Sequence, residues 1–104
     1  MSKNAVYYVS YKLKKGASVP DFLLAAETLN NEHISKQKGY ISWQQLVDGE
    51  RWADFAVFET MEDLKNFENA SREPSEIALK FYSFINLPSC KGHHFTVEKS
   101  YIVN

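Results

Sequence analysis

The sequence predicts an α+β fold in which one four-stranded antiparallel sheet carries its helices on a single face. Three features lead there: a hairpin-like stretch at residues 40–60, an amphipathic helical stretch on either side of it, and an alternating apolar run near each end. In the hairpin, aromatic and β-branched residues crowd both arms, and Asp48-Gly49 supplies the left-handed backbone that a two-residue turn needs. Pairing the arms about that turn puts Ile41, Trp43, Gln45 and Val47 on one face with Trp52, Asp54, Ala56 and Phe58. Tyr40, Ser42, Gln44 and Leu46 share the other face with Ala53, Phe55 and Val57. Moving the turn to Gly49-Glu50 shifts the pairing by two residues and preserves these faces. The second arm is apolar on both sides, so it must be covered twice.

Residues 5–13 alternate and are rich in Val and Tyr, which predicts a strand with Ala5, Tyr7, Val9, Tyr11 and Leu13 on one face. Ser18 is a suitable N-cap, with Pro20 and Asp21 in the first turn of a helix expected to run to about Lys38 and to stop at Gly39. At 100° per residue, Phe22, Ala26, Leu29 and His33 form one stripe facing the core. After the hairpin, Thr60-Met61-Glu62-Asp63 resembles a capping box and opens a helix to about Ala70. A further helical piece is expected over 74–85, then a loop over 86–92 containing Pro88 and Gly92, then a last strand over 93–103. The compact arrangement is a ferredoxin-like βαββαβ domain with spatial strand order 4-1-3-2. Its helix-free face remains apolar, and stacking two such faces predicts a two-fold homodimer.

The 104 residues suit a single domain, residues 1–104, with one hydrophobic core. A net charge of −1, with acids and bases interspersed, offers no electrostatic footprint for nucleic acid or an anionic membrane, so neither is an expected partner. No run is long enough to span a bilayer. Cys90 is the single cysteine and cannot form an internal disulfide, and no apolar segment follows Met-Ser-Lys-Asn, so the cytoplasm is the expected compartment.

Several segments carry a family likeness. They are a first strand ending in Lys15-Gly16, a helix closing at Lys38-Gly39-Tyr40-Ile41, the stretch Arg51-Trp52-Ala53-Asp54-Phe55-Ala56-Val57-Phe58-Glu59-Thr60, and Met61-Glu62-Asp63-Leu64 after it. On these, over nearly its whole length, the chain resembles the dimeric α/β-barrel superfamily and, within it, the antibiotic biosynthesis monooxygenase-like proteins. The resemblance implies a pocket in each protomer between helices and sheet. It also implies, for some members, oxidation of aromatic compounds without metal or flavin, so no cofactor is expected. Other members degrade haem with an Asn on the first strand and a Trp and a His on the second helix. This chain has Val9 in the middle of its first strand, Phe67 where the aromatic is expected, and no histidine over 61–90, so the axial iron ligand is missing and haem degradation is not expected.

Asp54 is the sharpest anomaly, a carboxylate among apolar neighbours in a strand expected to be buried. An unpaired buried charge is costly, so Asp54 must have a partner or a raised pKa, and either state suits a general base. Its alternative role is a structural, hydrogen-bonded carboxylate that fixes strand register. His33, on the apolar stripe, could meet Asp54 across the helix–sheet interface and form an acid–base pair with it, or be a bonded core histidine. Trp43, Tyr7, Tyr11 and Phe67 are the candidate substrate-binding residues, with Trp43 as a flat wall for a planar ligand. Trp52, near the turn, is more suited to packing. His93 and His94 are adjacent on a strand, point to opposite faces and lack further ligands at a diagnostic spacing, so no metal site is expected. The sequence therefore points to a small cytoplasmic homodimer with a small-molecule pocket. That pocket is either a cofactor-independent monooxygenase site for an aromatic or quinol-like compound or part of a non-catalytic binding or structural module.

Overall fold

In the computed structural model, which describes residues 3–102, the elements are β1 (Ala5–Leu13), α1 (Val19–Glu32), a 3-10 turn (Ile34–Lys36), β2 (Tyr40–Asp48), β3 (Arg51–Phe58), α2 (Met61–Ala70), α3 (Glu76–Tyr82) and β4 (Ile85–Thr96). The strands form one antiparallel sheet in the order β2-β3-β1-β4, as expected. The helices pack on one face, giving a ferredoxin-like fold. Each of the three helices starts at a hydroxyl cap: Ser18, Thr60 and Ser75 accept hydrogen bonds from the backbone N–H groups of Asp21, Asp63 and Ala78 at 3.3, 3.0 and 3.2 Å.

Four expectations need correction. The first helix does not reach Lys38. It ends at Glu32, and His33 takes a non-helical conformation (φ −133°, ψ −57°) before the 3-10 turn. An unbroken helix would swing Ile34 about 120° away from Phe22. The tighter turn returns it to the core, where it is buried against Leu29. The Gln37 side chain donates to the His33 carbonyl at 3.2 Å and satisfies part of the broken end.

Second, the hairpin turn is Gly49-Glu50, flanked by paired Asp48 and Arg51, with Gly49 at φ +60°. The faces survive that shift except at the far end. A bulge between Tyr40 and Ser42 carries Tyr40 to the helix side, where its ring meets Phe58 edge-on at 6.1 Å and its hydroxyl donates to Asn30 Oδ1 at 2.9 Å. Third, the helical piece expected over 74–85 is only α3, and Ile85 already belongs to β4.

Fourth, residues 86–92 are strand, not loop. Asn86 pairs with Lys12 and Lys91 with Ser10, and the extra residues between them bulge opposite Tyr11. The Ser89 hydroxyl accepts the Lys12 N–H there at 2.9 Å. Pro88 is tolerated because β4 is an edge strand. The strand stops at Thr96, which pairs with Ala5, the first residue of β1; beyond it the Val97 N–H donates once more, to the Asn4 carbonyl at 2.9 Å. Val103, expected on that strand, lies outside the described residues.

Phe22 centres the core between sheet and helices. It stands edge-on to Trp52 at 5.3 Å and stacks on Phe81 at 5.2 Å. On the opposite face of the sheet, register lines up Val57, Val6 and Phe95 in one row and Phe55, Tyr8 and His93 in the next. Phe95 is 53 % exposed and Leu46, on the same face, is 44 % exposed.

Candidate functional site

A cavity of about 200 Å³ lies between the helices and the sheet. Its closed end is made by the sheet: Asp54 on β3 and Tyr11 on β1 face the helices because both belong to the inward set of their strands. Trp43 on β2, Phe67 on α2 and Phe81 on α3 wall it. The exposed residues Leu87 and Cys90 of β4 mark its open side, and half-buried Tyr7 and Tyr82 also line the cavity.

Asp54 is only 9 % exposed, and the Tyr11 hydroxyl donates to its Oδ1 at 2.7 Å. Burial pushes the Asp54 carboxyl from its ordinary 3.8 up to about 6. Hydrogen bonding from Tyr11 and from the Trp43 indole opposes the rise without cancelling it. Burial and the neighbouring carboxylate together hold the Tyr11 phenol far above its usual range, so it stays a donor at any working pH. The Tyr7, Tyr82 and Cys90 protons are also held more tightly, by burial first and with the charge of Asp54 adding to it. Across the ladder from Asp54 sits Gln45, whose Nε2 is buried and has no hydrogen-bond partner among the described residues.

Of the candidate residues read from the sequence, Asp54, Trp43, Tyr7, Tyr11 and Phe67 meet around this one cavity. His33 does not, and the expected pairing of His33 with Asp54 is not formed. His33 lines a second, smaller pocket of about 140 Å³ with Gln37, Ser71 and Glu73. The cause is the helix break: the stripe that aimed His33 at the sheet assumed an unbroken α1, and the partner of Asp54 is Tyr11. Leu29, Ile34, Phe67 and Tyr82 belong to both pockets and form the partition between them.

The two adjacent histidines separate as alternation requires. His94 lies on the helix side beside Tyr7, with ring centroids 5.1 Å apart, and its Nε2 is 2.6 Å from Glu68 Oε1. His93 stacks near Phe95 on the other face. Among the described residues, no three His, Cys, Asp or Glu side chains converge as a metal set. Trp52 is a packing residue, buried against Phe22. The sequence reading missed Phe81, Tyr82, Leu87 and Cys90 as cavity residues. The apolar arc of the third helix carried a usable signal for the first two. Leu87 and Cys90 carried none, because their place depends on the pairing of β4 with β1.

No protein-family profile matches the sequence, and no curated protein is significantly similar to it. Solved structures are similar in fold over nearly the full length. A candidate antibiotic biosynthesis monooxygenase from Bacillus cereus is 19 % identical with a TM-score of 0.66, over 98 % of this chain and 100 % of that one. A cofactor-independent oxygenase from Streptomyces nogalater is 12 % identical with a TM-score of 0.72, over 95 % and 97 %. A haem-degrading protein from Mycobacterium tuberculosis is 15 % identical with a TM-score of 0.70, over 99 % and 100 %. A dimeric ferredoxin-like protein from an uncultured marine organism is 12 % identical with a TM-score of 0.68, over 99 % and 95 %. The fold is that of the antibiotic biosynthesis monooxygenase-like proteins.

Proposed function

We propose that the chain is a homodimeric small-molecule-binding protein whose cavity oxygenates a phenol or quinol-like aromatic without metal or organic cofactor. The observation that carries this reading is the Asp54 carboxylate at the closed end of an aromatic-walled cavity, poised to titrate at about 6. Such a group is mostly ionised at neutral pH yet is a stronger base than a surface aspartate. The Tyr11 hydroxyl and the Trp43 indole occupy only part of the carboxylate's acceptor capacity, which leaves lone pairs to accept a substrate hydroxyl.

The chemistry balances without a further reductant. Asp54 takes the hydroxyl proton of a phenol that keeps a C–H para to the oxygen, and the phenolate's electrons pass to dioxygen as a C–O bond forms at that carbon. The hydroperoxide then loses water, its O–O bond breaking as the C–H proton leaves. Phenol and O₂ give quinone and H₂O. The likeness to the Streptomyces oxygenase supports a reaction of this class, and the apolar row of Val57, Val6 and Phe95 together with the dimeric marine neighbour supports pairing through the helix-free faces.

Oxygen uptake with a panel of phenols and quinols tests it. Wild type is expected to consume oxygen and Asp54→Asn to lose at least a hundredfold in rate, whereas wild type inactive across the panel rejects the oxygenase. One observation favours the second reading, a binding or structural module: with His33 in another pocket, Asp54 is, among the described residues, the single carboxylate lining the cavity, and Tyr11 does not give up its proton. Ligand binding without oxygen uptake would select that module.

A further inference from the structure

Among the described residues, the groups lining the cavity are acids or neutral. Asp54, Tyr7, Tyr11, Tyr82 and Cys90 are its titratable groups, and among the described residues none that lines it is Lys, Arg or His. The two histidines closest in the fold are committed elsewhere: His94 faces Glu68 at 2.6 Å, and His33 belongs to the pocket behind the partition. An anionic ligand would lie against a buried carboxylate with no counter-charge, in surroundings too dry to screen the repulsion. A phenol instead offers Asp54 the same O–H donor that Tyr11 already gives it, with no ion to desolvate.

The walls narrow the class further: Trp43, Phe67 and Phe81 offer flat apolar faces, and a ligand longer than the cavity would emerge past Leu87 and Cys90. The geometry points to an uncharged, hydroxyl-bearing aromatic as the ligand of this cavity, with carboxylated, sulfated or phosphorylated forms rejected. This rests on the functional reading above for the site and deepens it by naming the charge of what enters.

Calorimetric titration under nitrogen, with no turnover possible, tests it using 1-naphthol, 1-naphthoate and 1-naphthylmethylammonium on the wild-type protein. The expected result is naphthol at least tenfold tighter than naphthoate and no weaker than the ammonium. In Asp54→Asn the difference between naphthol and naphthoate should shrink to under threefold. Leu87→Lys, at an exposed position that folding tolerates, should raise naphthoate affinity at least fivefold and so serves if Asp54→Asn does not fold. Naphthoate within threefold of naphthol in wild type, tighter binding of the ammonium, or no binding of any probe at millimolar concentration overturns the inference. Oxygen uptake distinguishes its failure from that of the oxygenase reading: naphthol bound but never oxidised removes only the catalysis, and equal turnover of carboxylated and uncharged quinols removes only the charge rule.

Discussion

The Tyr11 hydroxyl and Asp54 Oδ1, 2.7 Å apart on adjacent strands, form the polar floor of an otherwise apolar cavity. Tyr11 lies two residues along β1 from Val9, the direct ladder partner of Asp54, so the contact is diagonal across the sheet. Tyr11→Phe removes a donor to the ionised carboxylate. The Asp54 pKa should rise above its present value of about 6, and the acid limb of any pH–rate profile should move up with it. Stability should fall by about 1–3 kcal/mol, as expected when a buried hydrogen bond to a charged group is lost. Carboxyl-carbon NMR titration and urea unfolding read the two effects. A carboxyl pKa that stays put in the variant would show that Tyr11 does not govern it.

Stability should depend on pH with a definite sign. The folded Asp54 holds its proton up to about 6 against an ordinary 3.8, so the folded state binds more protons than the unfolded one between those values. The contribution is fully present below 3.8 and is lost as pH rises through 6; the difference is on the order of 3 kcal/mol. Asp54→Asn should therefore gain stability relative to wild type between pH 4 and pH 7.5. Denaturant midpoints for both proteins at the two pH values check it, and parallel pH dependence would contradict it.

Two glycines should respond differently to the same change. Gly49 has φ +60° and open space around it, so Gly49→Ala should cost only the left-handed backbone penalty, about 1–2 kcal/mol. Gly39 has φ +82° and its added Cβ would also collide with the buried Asp63 side chain at the start of α2. Gly39→Ala should cost at least about 1–3 kcal/mol more, in the range of overpacked cores. Equal losses in chemical denaturation would mean that the Asp63 contact is not enforced.

The helix-free sheet face should set the oligomeric state. Phe95→Glu places a charge in the apolar row beside Val6, and should shift the proposed dimer to monomer with the far-ultraviolet dichroism unchanged. Sedimentation equilibrium at micromolar concentration measures this. A wild-type monomer under those conditions removes the dimer proposal.

The sequence by itself determined the strand order, the faces of β1 and β3, and the burial of Asp54. These follow from periodicity: a period of two puts Tyr7 and Tyr11 on one face of β1 and Asp54 on one face of β3, and a one-residue slip would expose the entire apolar set. The pairing of Val9 with Asp54 then decided that Tyr7 and Tyr11 share the side of Asp54. The same alternation separated His93 from His94. Tertiary structure alone decided where His33 points, since burying Ile34 required a break in α1 that no helical stripe records. It also decided that the stretch containing Pro88 and Cys90 is paired strand lining a cavity, because local composition reads as loop and only the open edge of β1 supplies the hydrogen bonds that make it strand. Local pattern sets which way a side chain faces; what it meets depends on partners distant in the chain.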